Sequence, residues 1–335
     1  MKHLIWIAAI ALFLSPQSAM AQQETSLANL PPILTEPHYR SEGDKGNRIA
    51  RSGFALLKIS ASARLAGMAD ANVGTSRDIH SIFQNAAGLV HIDNMAYLAS
   101  YNEWLVGTKM GAAGFAYRIP IGVVGVAFRS FTYPDVEETT PLQPNGTGRN
   151  IKLGDFSVAA SFAKQLTDKF SMGFRLRYVR SQIHIVNVSS TTFDVGTLFY
   201  TGFRSLRVGM TMSNLGGNKE VLTEDYRLPF YYNLAIAMEL LGKQGDPLYL
   251  TTAYEHVFFR DYGERDHIGG ELWIQNMLAL RAGYKFRYDV ETWSVGAGIN
   301  LNVSEEREIN VDVSYSDIGG AIRERPLRLT LSGTF

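Results

Sequence analysis

Residues 170–178 read Phe-Ser-Met-Gly-Phe-Arg-Leu-Arg-Tyr, and this stretch decides the fold class of the chain. Apolar side chains occupy every second position, and serine, glycine and arginine fill the positions between them. A period of two is the period of a β-strand whose two faces meet different surroundings. The stretch therefore predicts a strand with one apolar face and one polar face.

The same alternation recurs from about residue 95 to the C-terminus. A soluble β-sandwich also alternates in this way, so the pattern alone leaves the membrane undecided. An even number of strands is typical of bacterial single-chain outer-membrane barrels. The pattern predicts about fourteen strands, at residues 97–106, 111–119, 121–130, 153–164, 168–180, 190–200, 203–213, 228–240, 247–258, 267–275, 277–287, 292–302, 307–317 and 326–335.

The connections between these strands alternate in length. Short connections occur at residues 119–121, 165–168, 200–203 and 275–277, and long ones at residues 132–152 and 214–228. Short periplasmic turns and long external loops produce this alternation in outer-membrane barrels. We therefore expect an all-β fold, a transmembrane antiparallel β-barrel of about fourteen strands. The acidic stretch at residues 133–150 is then an external loop and a candidate for partner contact.

The two chain ends support export and membrane assembly. Lys2, an apolar run at residues 4–14 and the small-x-small site Ala19-Met20-Ala21 form the three regions of a signal peptide. The run is shorter than the roughly 20 residues of a spanning helix, which disfavours a membrane anchor. We expect cleavage after residue 21 and an irregular periplasmic lead-in over residues 22–53. The last strand ends on Phe335 and resembles the terminal strand that the barrel assembly machinery recognises.

Composition excludes several functional classes. The 335 residues include no cysteine, which removes disulfides, thiolate nucleophiles and Cys-ligated zinc. Lys and Arg number 32, as do Asp and Glu, and this balance argues against nucleic acid as a partner. The seven histidines show no paired ligand spacing, and neither a nucleophile elbow nor a phosphate-binding loop occurs. We predict no catalytic residue, no cofactor and no metal, and hence no enzyme.

Residues 54–89 carry a family resemblance. They resemble the PorV/PorQ family of outer-membrane proteins, whose N-terminal signature is close to F-L-x-I-x-x-x-A-R-x-x-G-M-G-x-A followed by D-x-x-x-x-x-W-N-P-A-G-L. Ala69 replaces the second glycine of G-M-G, Gln84 the tryptophan and Ala86 the proline. The matching positions are Phe54, Ile59, Ala63, Arg64, Gly67, Met68, Ala71, Asp78, Asn85, Ala87, Gly88 and Leu89.

Later stretches extend the resemblance over nearly all of the mature chain. Residues 101–105 resemble the family's first-strand S-H-x-x-W-L, and residues 214–216 its N-L-G. Residues 270–273 and 280–284 resemble its G-x-E-Y and L-R-x-G-Y. The resemblance implies a FadL-like barrel over residues 93–335 with an N-terminal plug segment, residues 54–92, in the lumen.

The resemblance also implies structural roles within the plug. Gly67 and Gly88 would permit turns closed to other residues, Asn85 would brace a turn, and Arg64 would bridge to carbonyls or acids of the wall. Residues 78–89 show a weak helical pattern. The implied plug motif is Arg64, Gly67, Met68, Asp78, Asn85 and Gly88.

Charged residues occupy the polar face of several strands. A charge that faces lipid at the midplane is costly, so we expect these side chains to line a wet lumen and to fix the plug by charge ladders. The alternative is that they merely balance one another. The set comprises Arg175, Arg177, Arg207, Arg281, Asp194 and Asp312, together with Lys285, Arg287, Arg328 and Glu271.

Two functions remain open. The resemblance implies a component of type IX secretion that binds or shuttles exported proteins, with translocon subunits and cargo C-terminal domains as partners. The FadL-like fold suggests instead a channel for uptake of hydrophobic small molecules, although fold alone is a weak basis for function. Either protein would lie in the outer membrane of a Gram-negative bacterium, in contact with lipid and lipopolysaccharide.

Overall fold

The computed structural model describes residues 52–335, apart from 218, 222–223, 261–262, 289, 305–306 and 320–324. The expected signal peptide, residues 1–21, lies outside the described residues. The expected lead-in, residues 22–53, lies outside them as well, except for its last two positions.

Fourteen long strands close into one antiparallel barrel, and this prediction is confirmed. Each strand pairs with its neighbours along the chain, and β1 pairs with β14 from Ala96–Thr334 to Glu103–Leu327. The strands are β1 (Met95–Glu103), β2 (Lys109–Ile119), β3 (Gly122–Thr132), β4 (Leu153–Thr167), β5 (Phe170–Ile183), β6 (Val186–Tyr200), β7 (Arg207–Leu215), β8 (Tyr231–Leu241), β9 (Leu248–Phe259), β10 (Arg265–Ile274), β11 (Leu278–Phe286), β12 (Glu291–Ser304), β13 (Arg307–Ile318) and β14 (Leu327–Thr334).

The barrel has a short-turn end and a long-connection end. Residues 120–121 join β2 to β3, and residues 168–169 join β4 to β5, at the short-turn end. Residues 133–152 and 216–230 form the two longest connections, at the opposite end. Each of these contains a small hairpin that the alternation did not predict, Val136–Glu137 with Asn150–Ile151 and Lys219–Val221 with Glu224–Tyr226.

The two faces of the wall are chemically opposite. On β5 the side chains of Phe174 and Leu176 are exposed on the outside, whereas Arg175 and Arg177 are buried on the inside. Apolar side chains outside and polar ones inside suit a wall that faces lipid, because lipid solvates no charge. The period of two in the sequence therefore separates the side chains that face the membrane from those that face the lumen.

Residues 54–92, here called the inner segment, form no part of the wall. They contain helix α1 (Ala63–Gly67) and three 3-10 helices, Ala55–Lys58, Ile79–Ile82 and Ala86–His91; a fourth, Leu105–Gly107, joins β1 to β2. Leu65, Ile82 and Leu89 are fully buried and pack against inward-facing alanines of the wall. The largest apolar core thus lies between the inner segment and the barrel. None of the helices in the described part of the chain is long and apolar enough to cross a membrane.

The inner segment runs from one end of the barrel to the other. The Gly53 amide donates to the Arg227 carbonyl, 2.9 Å away, in the longest-connection region that precedes β8. At the other end, Arg118 Nε donates to the Ile92 carbonyl at 2.7 Å, beside the short turn between β2 and β3. The segment then continues into β1 at the short-turn end.

Glycines in the wall allow the inner segment to approach closely. A Cβ atom added at Gly173 of β5 would overlap the backbone of Ala86 and Ala87. A Cβ atom at Gly283 of β11 would lie 2.6 Å from the carbonyl carbon of Met68. These inward positions alternate with apolar outward positions, so the glycines belong to the polar face for reasons of space rather than polarity.

Candidate functional site

One side of the lumen holds an ion-pair network of two arginines and three carboxylates, here called the balanced cluster because each of its charges has an ion-pair partner: Arg64, Asp78, Glu271, Arg281 and Asp312. Arg64 from the inner segment binds Glu271 of β10 in a bidentate manner, with Nε–Oε2 and Nη2–Oε1 distances of 2.9 Å, and it also pairs with Asp78. Arg281 of β11 then bridges Glu271 and Asp312, each at 2.6 Å. Paired and bidentate bonds of this kind are the strong class of charged hydrogen bonds.

Local structure of the inner segment positions the balanced cluster. Ser62 caps α1 by accepting from the Leu65 amide, and its hydroxyl contacts His80 Nδ1 at 2.8 Å. Asp78 caps the helix Ile79–Ile82 by accepting from the His80 amide at 2.9 Å. The Asp78 carboxylate therefore caps the start of this helix and also pairs with Arg64.

Burial and neighbouring charges set the pKa values in this part of the segment. Burial acts to lower the pKa of Arg64, but Asp78 and Glu271 outweigh it and raise the pKa above its usual range. Burial lowers the pKa of His80, and Asp78 opposes this only in part. At neutral pH Arg64 is charged and His80 is neutral.

The opposite side of the lumen holds an arginine-rich group, here called the unbalanced cluster: Arg129, Arg175, Arg177 and Asp194. Arg175 and Arg177 of β5 both bind Asp194 Oδ2 of β6, at 2.5 and 2.8 Å. The second oxygen of Asp194 accepts from the Asn214 amide at 2.5 Å. One carboxylate thus serves two guanidinium groups, and a third arginine lies beside them.

The unbalanced cluster meets the inner segment through backbone carbonyls. Arg175 Nη1 donates to the Ile82 carbonyl at 2.6 Å, and Arg129 Nη2 donates to the Phe83 carbonyl at 3.2 Å. The inner segment supplies no carboxylate here within the described residues. Contact on this side is polar, but it leaves an excess of positive charge.

Two further polar contacts join the inner segment to β7, β8 and β9. Arg207 pairs with Glu239 at 2.9 Å and donates to the Gly74 carbonyl at 2.7 Å. Glu255 accepts from the amides of Asn72 and Val73 at 2.9 and 3.0 Å. The segment is therefore held on every side of the lumen.

A third ion-pair group lies near the long-connection end. Lys285 Nζ contacts Asp70 Oδ2 at 2.8 Å and Glu291 Oε2 at 2.5 Å. Burial acts to raise the pKa of Asp70, but Lys285 and His267 outweigh it, so the pKa lies below its usual value.

Two of the predicted lumenal arginines differ from the rest. Arg328 is buried and donates to Ser316 at 2.9 Å, over the ring of Trp104. Arg287 does not face the lumen: its side chain is 55% exposed and pairs with Asp266 at 2.5 Å. The strand β11 ends at residue 286, and Arg287 adopts a φ of 63°, so the alternation no longer governs its direction.

Glycine is required at the two motif positions for a different reason from the expected one. Neither Gly67 nor Gly88 has a positive φ, so a turn closed to other residues is the wrong explanation. Gly67 packs against Gly296 of β12, and a Cβ at Gly88 would overlap the Ser76 carbonyl. The left-handed conformation occurs instead at Ala69, with φ 51°, where the family signature has glycine.

The other motif residues act as buried supports. Asn85 Nδ2 donates to the carbonyls of Val73 and Thr197, at 2.9 and 3.0 Å, and its Oδ1 accepts from the Ala87 amide. Met68 is fully buried against Ala237 and Ala253 of the wall. The weakly helical stretch at residues 78–89 forms two short 3-10 helices rather than one continuous helix.

The last residue completes the barrel seam. The Phe335 amide donates to the Met95 carbonyl at 2.9 Å, and its ring stacks on Tyr97 at 5.3 Å. Its recognition by the barrel assembly machinery remains a prediction.

The buried lumenal residues that sequence reasoning missed include Arg129, Glu239 and Glu255. Each occupies an inward position of a strand, as their burial shows. The signal was present, because each stands alone at a polar-face position within an otherwise apolar or aromatic stretch.

Comparison with known proteins agrees with this architecture. A toluene transporter, TbuX of Ralstonia pickettii, superposes with a TM-score of 0.58 at 12% identity, covering 82% of this chain and 98% of that one. A FadL homologue of Pseudomonas aeruginosa superposes with a TM-score of 0.54 at 12% identity, covering 83% of this chain and 98% of that one. At such identities the likeness shows the FadL-like fold alone.

Comparison with curated protein sequences gave no match. The family model described as type IX secretion system protein PorV matches residues 42–216, which is more than half of the chain. The chain belongs to the PorV family of outer-membrane β-barrel proteins.

Proposed function

We propose that this barrel serves type IX secretion by binding exported proteins at the outer membrane, with the inner segment acting as a lumenal plug. The observation that carries the proposal is the attachment of the segment to every side of the lumen. Arg64 binds Glu271 on one side, and Arg175 binds the Ile82 carbonyl on the other. A lumen filled in this way suits a docking protein better than an open pore.

The long connections supply the proposed contact surface. The connection at residues 133–152 forms a hairpin that projects Leu142, which is 93% exposed, together with the acidic Glu137. Loops held on a rigid scaffold are common locations for binding residues. Cargo C-terminal domains and translocon subunits are the proposed partners at this surface.

An uptake channel for hydrophobic molecules is the second candidate. An apolar groove of about 540 Å³ lies on the lipid-facing wall, lined by small side chains such as Ala99 and Ala113 and by Leu329 and Leu331. The seam behind it is continuously paired, so a solute would need a local opening to reach the lumen.

A pull-down tests both candidates. Tagged mature protein is extracted from its native envelope in mild detergent, and the bound components are identified by mass spectrometry. A matched pair of variants replaces residues 136–151 or residues 243–246, at the short-turn end, with a Gly-Ser linker. The secretion role predicts recovery of a translocon protein or of exported proteins sharing a C-terminal domain, lost only in the first variant.

Recovery of a barrel that carries lipid alone would contradict the secretion role and favour uptake. We further propose residence in a Gram-negative outer membrane, contact with lipid and lipopolysaccharide, and insertion by the barrel assembly machinery. Nucleic acid and cofactors have no part in the proposal, and no residue is assigned a catalytic role.

A further inference from the structure

A cavity of about 170 Å³ lies between the inner segment and the wall. It opens toward the long-connection end, because Tyr231 begins β8, Phe259 ends β9 and Tyr288 follows β11. At about 30 Å³ per water molecule it holds roughly half a dozen waters, or a ligand of about ten non-hydrogen atoms. Its lining combines aromatic rings with charged side chains.

Arg129 brings an uncompensated charge to this cavity. Its side chain is 6% exposed, and its guanidinium lies 4.8 Å from the centre of the Phe83 ring. It donates to the carbonyls of Ile59 and Phe83, at 3.5 and 3.2 Å, and makes no ion pair with any described residue. A buried cation without a counter-ion is unfavourable, so this geometry favours an anion in the cavity.

The neighbouring charges do not remove this excess. Asp194 is already bound by Arg175 and Arg177. Asp155, which is buried on the neighbouring strand β4, accepts a hydrogen bond from the Tyr133 hydroxyl and makes no ion pair with Arg129. Three buried guanidinium groups and two buried carboxylates, Asp155 and Asp194, therefore lie on this side of the lumen.

The acidic side chains that line the cavity are also engaged: Asp70 and Glu291 pair with Lys285, and Glu255 accepts from the Asn72 and Val73 amides. An anion that entered the cavity would therefore meet a positive potential at Arg129.

Two buried polar atoms on the other side of the cavity lack partners. Asn233 and His267 are each 4% exposed, and Oδ1 of the first and Nδ1 of the second make no hydrogen bond in the described structure. Asn233 Nδ2 donates to Glu255 at 2.5 Å, which leaves Oδ1 as an acceptor at the cavity. A ligand with a donor group would satisfy it.

We propose that this cavity binds a small organic anion whose carboxylate or phosphate group meets Arg129. The body of the ligand lies among the rings of Phe83, Tyr231, Phe259 and Tyr288, and a donor on it reaches Asn233. The site is distinct from the apolar groove on the lipid-facing wall, because it lies inside the barrel and would recognise the charge of its ligand. It does not depend on the secretion role.

Calorimetric titration of the purified mature protein in detergent tests the proposal. The probes are benzoate, benzyl alcohol as a neutral molecule of similar shape, and inorganic phosphate. We expect saturable binding of benzoate, at least tenfold weaker binding of benzyl alcohol, and loss of benzoate affinity at higher salt. Phosphate binding as tight as that of benzoate would identify the phosphate form of the ligand chemistry.

Two variants locate the site. Arg129→Gln is expected to weaken benzoate at least tenfold, whereas Arg204→Gln, at an exposed turn of the short-turn end, leaves it unchanged. Should Arg129→Gln fail to fold, benzoate and benzyl alcohol are compared by the rise in unfolding temperature of the unaltered protein. Equal effects of the two probes, no binding of any probe, or full affinity in Arg129→Gln would overturn the proposal.

Discussion

The two sides of the lumen hold the inner segment by different means. In the balanced cluster the segment contributes charged side chains, Arg64 and Asp78, which match the wall's Glu271, Arg281 and Asp312. In the unbalanced cluster it contributes backbone carbonyls and the Phe83 ring, but no charged side chain, to the arginines of β3 and β5. The difference teaches that a buried charge is a structural tie where its counter-charge is built in, and a potential ligand contact where it is not.

The largest expected effect is at the balanced cluster. Arg281→Leu leaves Glu271 and Asp312 buried without their shared partner, and breaking a buried pair costs about 3–5 kcal/mol. We expect a loss of that size in the free energy of unfolding, measured by denaturant titration of the folded barrel, and faster proteolysis of the inner segment. Arg149→Gln, in an exposed pair with Glu138, is the control and should change stability by less than about 1 kcal/mol. An unchanged unfolding midpoint in Arg281→Leu would contradict the prediction that charge ladders fix the inner segment in the lumen.

The next largest effect on stability is expected from acidification. Burial, Arg77 and Arg207 lower the pKa of His91 to about 4, below its unfolded value of 6.5. The neutral form is favoured in the folded state, so its contribution is complete above pH 6.5 and is lost as pH falls toward 4. We expect at most about 1.4 kcal/mol lost per pH unit in this window, measured as the unfolding free energy from pH 7 to 4. His91→Asn should make the profile less steep, although His80, whose pKa is also lowered, still contributes. An equally steep profile in that variant would rule His91 out.

A smaller effect is expected in the unbalanced cluster. Arg175→Leu leaves Asp194 with Arg177 and the Asn214 amide, so the carboxylate keeps partners. The loss should be about 1–3 kcal/mol, below that of Arg281→Leu, by the same denaturant titration. A loss equal to or above that of Arg281→Leu would remove the distinction between the two sides.

The smallest effect is expected at Arg129. Arg129→Met removes a buried charge that has no counter-ion and keeps apolar volume over Phe83, so without ligand the unfolding free energy should be unchanged or slightly higher, within about 1 kcal/mol. Thermal unfolding in ligand-free buffer measures this. A destabilisation matching that of Arg175→Leu would show that Arg129 is a structural tie.

Most of the fold could be predicted from local patterns in the sequence. All fourteen barrel strands follow from alternation, because each face of a strand is encoded by every second residue. Pairing in the lumen is not local: Arg64 and Glu271 lie 207 positions apart, and only the closed barrel brings them together. The reason for glycine at position 67 could not be predicted from the sequence either, since it depends on the close approach of Gly296 in the folded barrel.

The lengthwise path of the inner segment constrains the order of assembly. The segment enters beside Arg227 and leaves beside Arg118, so it occupies the barrel from end to end. Its backbone packs directly against Gly173 and Gly283, where an added Cβ atom would already overlap it. We therefore expect the β1–β14 seam to close around a segment that is already in place.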